Sequence, residues 1–140
     1  MIVVDTSVVY ALLDRSDQRH ADAVRWYQAT ENEFATTPLV VAEIDHLAGA
    51  RAGRAAQAAF RRDLATGAYV VEWWATAPRE IVDVAERYGN LGVTLADASL
   101  AVLAARVGTT ALATFDERHF RVLRPLRGAP AFTLLPADAI

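Results

Sequence analysis

The sequence predicts an α/β fold: a central parallel sheet of four to five strands, flanked by helices on both faces. Two observations predict it. Short apolar runs near residues 2, 34, 70, 111 and 133 alternate with stretches of helical periodicity, the pattern of βαβ units. Helix starts are punctuated by capping hydroxyls, and at Thr37-Pro38 by a proline in the first helical position. A chain of 140 residues is long enough for one cored domain and short for two, so one domain over residues 1–140 is expected.

The first run, Ile2-Val3-Val4, leads straight into Asp5-Thr6-Ser7. It reads as a buried strand with Asp5 at its carboxyl end, where open α/β sheets place their sites. Taken alone, Asp5 reads equally well as a turn and cap residue. Thr6 and Ser7 can accept from the N–H groups that open the next helix. Residues 6–14 are expected to be helical, with Val8, Val9, Leu12 and Leu13 inward. Ser16 or Asp17 can cap a second helix reaching Ala29, with Ala21, Val24, Trp26 and Tyr27 as its apolar surface. Residues 34–36 form the second strand. The helix opened by Thr37-Pro38 runs to Ala48, and Gly49 is expected to end or interrupt it. Its apolar face is Leu39, Val40, Ile44 and Leu47. Glu43 lies four residues from both Leu39 and Leu47 and so projects into or beside that face. A carboxylate there is costly unless paired, protonated or bound to a cation.

Residues 51–66 are Ala- and Arg-rich and helical, closed by Gly67. Residues 68–74 form the third strand, in which Trp73 and Trp74 would face opposite ways. Pro78 opens a helix with Ile81, Val82, Val84, Ala85 and Tyr88 inward. Thr94 and Asp97 fit a capping box, and the helix behind them is apolar nearly all round, hence buried. Residues 110–114 form the fourth strand, and Asp116 follows it as Thr114-Phe115-Asp116, repeating the opening theme of strand, hydroxyl and acid. Residues 132–135 are the last strand candidate.

Composition removes several chemistries. All fourteen basic residues are Arg; with no Lys, a P-loop ATPase, a Schiff-base enzyme and a lysine-dependent receiver domain are excluded. With no Cys there is neither a disulfide framework nor a thiolate metal site. His20, His46 and His119 lack metal-motif spacing. A net charge of −3 gives no global field for nucleic acid. No apolar stretch approaches the ~18 residues of a membrane span, and no basic leader precedes the first strand, so no membrane and a cytoplasmic location are expected.

In a parallel sheet, strand ends and the helix starts after them gather along one edge. Asp5, Glu43, Asp97 and Asp116 can therefore converge on one concave site. Four clustered carboxylates need a counter-charge. With no Lys and no converging His expected, that counter-charge is a divalent cation, and oxygen-only ligands point to Mg²⁺ or Mn²⁺. Such a site suits phosphodiester hydrolysis, with Arg side chains at the rim positioning the backbone.

Together, Asp5-Thr-Ser, Glu43 in Val-Ala-Glu-Ile, Thr94-Leu-Ala-Asp97-Ala and Thr114-Phe-Asp116 resemble the motifs of PIN-domain ribonucleases. The length resembles that of the VapC toxins of bacterial toxin–antitoxin pairs. The resemblance covers essentially the whole chain and implies a single PIN-like nuclease domain. It implies that Asp5, Glu43, Asp97 and Asp116 form an acidic quartet for Mg²⁺ or Mn²⁺, with Asp5 and Asp97 as direct ligands and Glu117 as a neighbouring alternative to Asp116. Thr6, Ser7 and Thr114 would support the turn and substrate beside it. It further implies an RNA substrate, a homodimer, and a cognate VapB-like antitoxin. In-line attack by water would leave 5′-phosphate and 3′-hydroxyl ends.

Two other readings compete. A phosphatase of the haloacid-dehalogenase type also begins with a strand-end Asp, but typically wants a second Asp two residues on and a Lys; Ser7 stands there and Lys is absent. A non-catalytic α/β binding module would use the acids as caps and surface charges, which suits Asp97 and leaves Glu43 unexplained. Arg118, Arg121, Arg124 and Arg127, at three-residue spacing, have three fates: solvated surface, RNA rim or antitoxin contact. His119 is open between a phosphate contact and a structural role.

Overall fold

A computed structural model describes residues 1–72, 74 and 77–139. Five strands form one sheet: β1 (Ile2–Val4), β2 (Phe34–Thr36), β3 (Tyr69–Val71), β4 (Ala111–Ala113) and β5 (Thr133–Leu135). Their spatial order is β3-β2-β1-β4-β5, and every pairing is parallel. Val3 pairs with Ala35 on one side and Leu112 on the other, so β1 is the central strand. All three of its residues are buried, which is why its sequence is continuously apolar rather than alternating.

The connections carry α1 (Thr6–Leu13), α2 (His20–Gln28), α3 (Pro38–Leu47), α4 (Arg54–Ala65), α5 (Ala77–Arg87), α6 (Leu95–Val107) and the short α7 (Glu117–Phe120). From β1 the chain steps outward to β2 and β3, then crosses back to β4 beyond β1. Right-handed crossovers place the helices of the outward steps on one face and those of the return on the other. The direction of stepping reverses between β1 and β4. That reversal opens a crevice at their carboxyl ends, and the fold puts it beside Asp5 and Asp116. Val8, Val9 and Ile44 pack on the sheet with Leu100, Leu103, Leu112 and Leu134 in one continuous core.

Several elements differ from the expectations, each for a local reason. α2 starts at His20, not after Ser16 or Asp17. The polar side chains before it close turns instead of capping. Asp14 Oδ1 accepts from the N–H and hydroxyl of Ser16, and Asp17 Oδ1 accepts from the N–H of Arg19. α2 buries Ala23 and Trp26, while Ala21 and Tyr27 are exposed. Gly49 interrupts α3, one of the two outcomes expected: the α-helical run closes at Leu47. The helix widens into a π-helical turn, Ala48–Ala52, and stops at Gly53, whose φ of 101° admits little but glycine. Gly49 serves packing: a Cβ there would meet the Gln57 amide nitrogen at 2.6 Å, and that amide donates to the Asp45 carbonyl. In α5, Val82 is exposed, because Ala77, Ile81 and Val84 already fill the inward face. β3 spans three residues of the seven expected. Trp73 lies outside the described residues; Trp74 packs against the core with the Arg106 guanidinium 5.3 Å over its ring.

The caps of α3 and α6 are as read, while no side chain caps α1 or α2. Thr37 Oγ1 accepts from Val40 N at the start of α3. At α6 both arms of the capping box are present: Asp97 N donates to Thr94 Oγ1 and Thr94 N to Asp97 Oδ2, each at 3.1 Å. Thr94→Ala is expected to lower unfolding free energy by about 1 kcal/mol, read by urea denaturation, with the circular dichroism of the folded protein unchanged.

Candidate active site

Asp5 ends β1 and is 6 % exposed. Its backbone is extended and its side chain makes no capping bond to α1, which removes the cap reading. The carboxylate instead receives two hydroxyls from separate elements. Ser7 donates to Asp5 Oδ2 at 2.9 Å and Thr114, at the end of β4, donates to the same oxygen at 2.8 Å. A hydroxyl has one proton, so both are then committed as donors and act as acceptors elsewhere. Ser7 Oγ accepts from Phe115 N at 2.9 Å, and Thr114 Oγ1 accepts from Asp116 N at 2.9 Å. The pair clamps β1 to β4 and fixes the turn that carries Asp116.

Burial pushes the Asp5 carboxyl up to about 6; the Thr114 and Ser7 hydroxyls pull against that, and Asp97 nearby adds to it. The folded-state value lies above the ordinary 3.8, so this group stabilises the metal-free fold most below pH 3.8 and less as pH rises through about 6. The full difference is about 3 kcal/mol. In EDTA, wild-type melting temperature is expected to fall between pH 5 and 7.5 relative to Asp5→Asn, measured as the difference between the two thermal-unfolding curves.

Asp97 sits at the mouth of buried α6, as the capping box requires. Asp116 caps α7 through Oδ1, which accepts from His119 N at 3.2 Å. This short helix brings in a residue that sequence spacing did not. His119 Nδ1 lies 3.0 Å from Asp116 Oδ2 and 3.3 Å from Asp97 Oδ2, buried and without hydrogen-bond geometry to either. A His does therefore converge on the acids, contrary to the expectation. The available signal was the Asp116-x-x-His119 spacing, which one helical turn places on one side.

Glu43 lies beside the apolar face, one of the two placements expected, and not within it. It is exposed, outside the buried stripe of α3 that Val40 and Ile44 form. Even so, it lines the same cleft of about 380 Å³ as Asp5, Asp97 and Asp116. The starts of its helix and of α6 are joined by buried hydroxyls: Thr37 Oγ1 lies 2.8 Å from Ser99 Oγ, which donates to the Ala96 carbonyl. All four acids thus face one cavity. Thr6 and Ser7 line it too, and Thr6 Oγ1 is buried without a hydrogen-bond partner. The cleft arginines are Arg19 and Arg51, not the series after β4. Arg121 in that series is structural, pairing with Glu117 and Asp138, while Arg118, Arg124 and Arg127 are exposed.

The donor set could hold a metal ion. Asp97, Asp116 and His119 each offer a ligand atom within 4.8 Å of the others. The buried Asp5 carboxylate and the partnerless Thr6 hydroxyl lie beside them, with no Lys to neutralise the group.

Comparison with known proteins agrees with this architecture. The PIN domain family profile matches residues 2–124. The chain belongs to the PIN-domain family. Ribonuclease VapC26 of Mycobacterium tuberculosis is 33% identical over 136 residues, which is 96% of this chain and 100% of that protein. Among solved PIN-like structures, VapC20 of Mycobacterium tuberculosis, described as a sarcin-ricin loop cleaving toxin, superposes with a TM-score of 0.78 at 24% identity, covering 84% of this chain and 91% of that one. PAE2754 from Pyrobaculum aerophilum gives 0.55 at 27% identity, over 89% and 85% of the two chains. At 24% identity the VapC20 likeness shows that the PIN fold is shared. No described helix is long and apolar enough to cross a membrane.

Proposed function

We propose that this PIN-domain protein is a metal-dependent endoribonuclease hydrolysing RNA phosphodiester bonds, and the toxin of a toxin–antitoxin pair. The observation that carries the reading is the convergence of Asp5, Glu43, Asp97 and Asp116 on one cleft at the crevice between β1 and β4. The 33% identity to a protein named ribonuclease VapC26 supports it. Asp5, Asp97 and Asp116 would hold Mg²⁺ or Mn²⁺. Such an ion, when bound, polarises the scissile phosphate and the attacking water.

The chain's own residues do the rest. Ser7 and Thr114 aim the Asp5 carboxylate through their two hydroxyl donors. His119 Nδ1 lies 3.0 Å from Asp116 and 3.3 Å from Asp97 and would join them as a ligand. Glu43, at the exposed side of the cleft, would hold the ion directly or through water. Arg19 and Arg51 line the same cleft and offset phosphate charge. A cognate VapB-like antitoxin and a homodimer complete the proposal.

The test is incubation of the purified protein with RNA, with and without Mg²⁺ or Mn²⁺, and chemical identification of the ends. Metal-dependent internal cleavage leaving 5′-phosphate and 3′-hydroxyl supports the reading. Products ending in 2′,3′-cyclic phosphate, or cleavage indifferent to EDTA, would sink it.

A further inference from the structure

Beside the acidic cleft lies a second cavity, of about 410 Å³, which the catalytic reading leaves unused. The two share Arg19 and Phe115 as lining. Its remaining walls mix apolar residues, Trp26, Pro136 and three alanines, with the polar Asp22, Arg25, Thr114 and Glu117. Phe115 is the residue between Thr114, which holds Asp5, and Asp116, so its ring is tied to the acids by backbone. Its own N–H is bound by Ser7 Oγ. The Arg19 guanidinium stacks on this ring, 5.2 Å from the centroid. Arg19 has no carboxylate partner among the described residues; the neighbouring Arg25 pairs with Asp22.

We propose that this cavity is a nucleobase subsite: it takes a base of the RNA strand adjacent to the scissile phosphate. The inference rests on the nuclease reading and adds to it where the substrate's base goes. Three features select this occupant. The cavity adjoins the acidic cleft across Arg19 and Phe115, so a strand whose phosphate lies among the acids has a neighbouring base at the shared wall. An aromatic ring and a planar guanidinium are the two surfaces on which unpaired RNA bases stack. The Arg19 charge complements a backbone phosphate at the junction of the two cavities. The volume falls within the range of small-ligand sites. Because stacking reads a π-face, the subsite favours an unstacked base over a duplex and discriminates bases weakly.

The experiment is cleavage kinetics on a single-stranded oligoribonucleotide with a mapped cleavage site, into which one abasic residue is scanned through the positions flanking that site. Wild type is expected to lose about 5- to 150-fold in kcat/KM at one flanking position, mostly through KM. Phe115→Leu is expected to show a similar loss on intact RNA and little further loss on the abasic strand, while Phe115→Trp retains activity on intact RNA. Arg19→Gln, on an exposed residue that also faces the phosphate, is expected to raise KM on intact and abasic strands alike, so the subsite itself is read from Phe115 and the abasic scan. An abasic scan with no sensitive position overturns the subsite. So does an abasic loss that adds in full to that of Phe115→Leu, or a fall in kcat alone. If Arg19→Gln and Phe115→Leu weaken antitoxin binding while leaving RNA kinetics unchanged, the cavity belongs to a protein partner and the inference fails. Wild type that cleaves every abasic strand as well as the intact one defeats this inference alone; wild type that cleaves no RNA defeats the nuclease reading with it.

Discussion

Asp5→Asn is expected to reduce RNA cleavage by more than the ~100-fold that losing an outer partner of a metal ligand costs. The substitution is nearly isosteric. Its carbonyl oxygen can still accept from Ser7 and Thr114, which meet at a single carboxylate oxygen in the wild type. The change therefore removes charge while keeping the clamp between β1 and β4. At pH 7.5 and without metal the variant should be no less stable than wild type, because a buried carboxylate with its pKa raised to about 6 is a cost once ionised. Loss of cleavage with equal or higher melting temperature is the expected pair of results. Retained cleavage would remove Asp5 from the chemistry; a large drop in melting temperature would make it a structural residue.

Divalent metal is expected to raise the melting temperature, and EDTA to abolish cleavage. Ligand bound only to the folded state adds RT ln(1 + [L]/Kd), about 2.7 kcal/mol at a hundredfold excess over Kd. For a domain of this size that corresponds to roughly 8 °C. The gain should shrink as pH falls through about 6, since protonated Asp5 competes with the ion. It should be absent in Asp5→Asn and reduced in Asp97→Asn, where asparagine preserves the capping of α6. Scanning calorimetry against MgCl₂ and MnCl₂ reads the result. No shift with either metal would return the acids to the binding-module reading.

The parts of this molecule that were legible in the sequence are those determined locally. β1 and β4 are apolar runs that end in polar residues, and Thr37-Pro38 and Thr94-x-x-Asp97 are caps whose chemistry lies within four residues. Asp5 and Asp116 followed from strand ends, Asp97 from a helix start. What was not legible depends on contacts between distant segments. Glu43 was taken to adjoin an apolar stripe, but three-dimensional packing turns that side of α3 to an open cleft. His119 arrives on a four-residue helix too short to leave a periodic signal. Ser7 looked like a cap, yet its role is set by a β4 neighbour that no local pattern could indicate. The π-helical turn after α3 hid for a related reason: Gly49 punctuates sequence, but here it makes room for Gln57.

The hydroxyl clamp has a consequence for synthesis. Thr114 and Asp5 are 109 positions apart, so the acid set is closed by one of the longest-range contacts in the fold. During translation Asp5 and Glu43 emerge early, yet the Thr114 half of the clamp on Asp5 is missing until β4 pairs beside β1. A chain cut short before Thr114 lacks both Asp116 and the clamp, whichever other acids it carries. For a protein whose activity would attack RNA, that order of assembly keeps such a copy from closing its acid set.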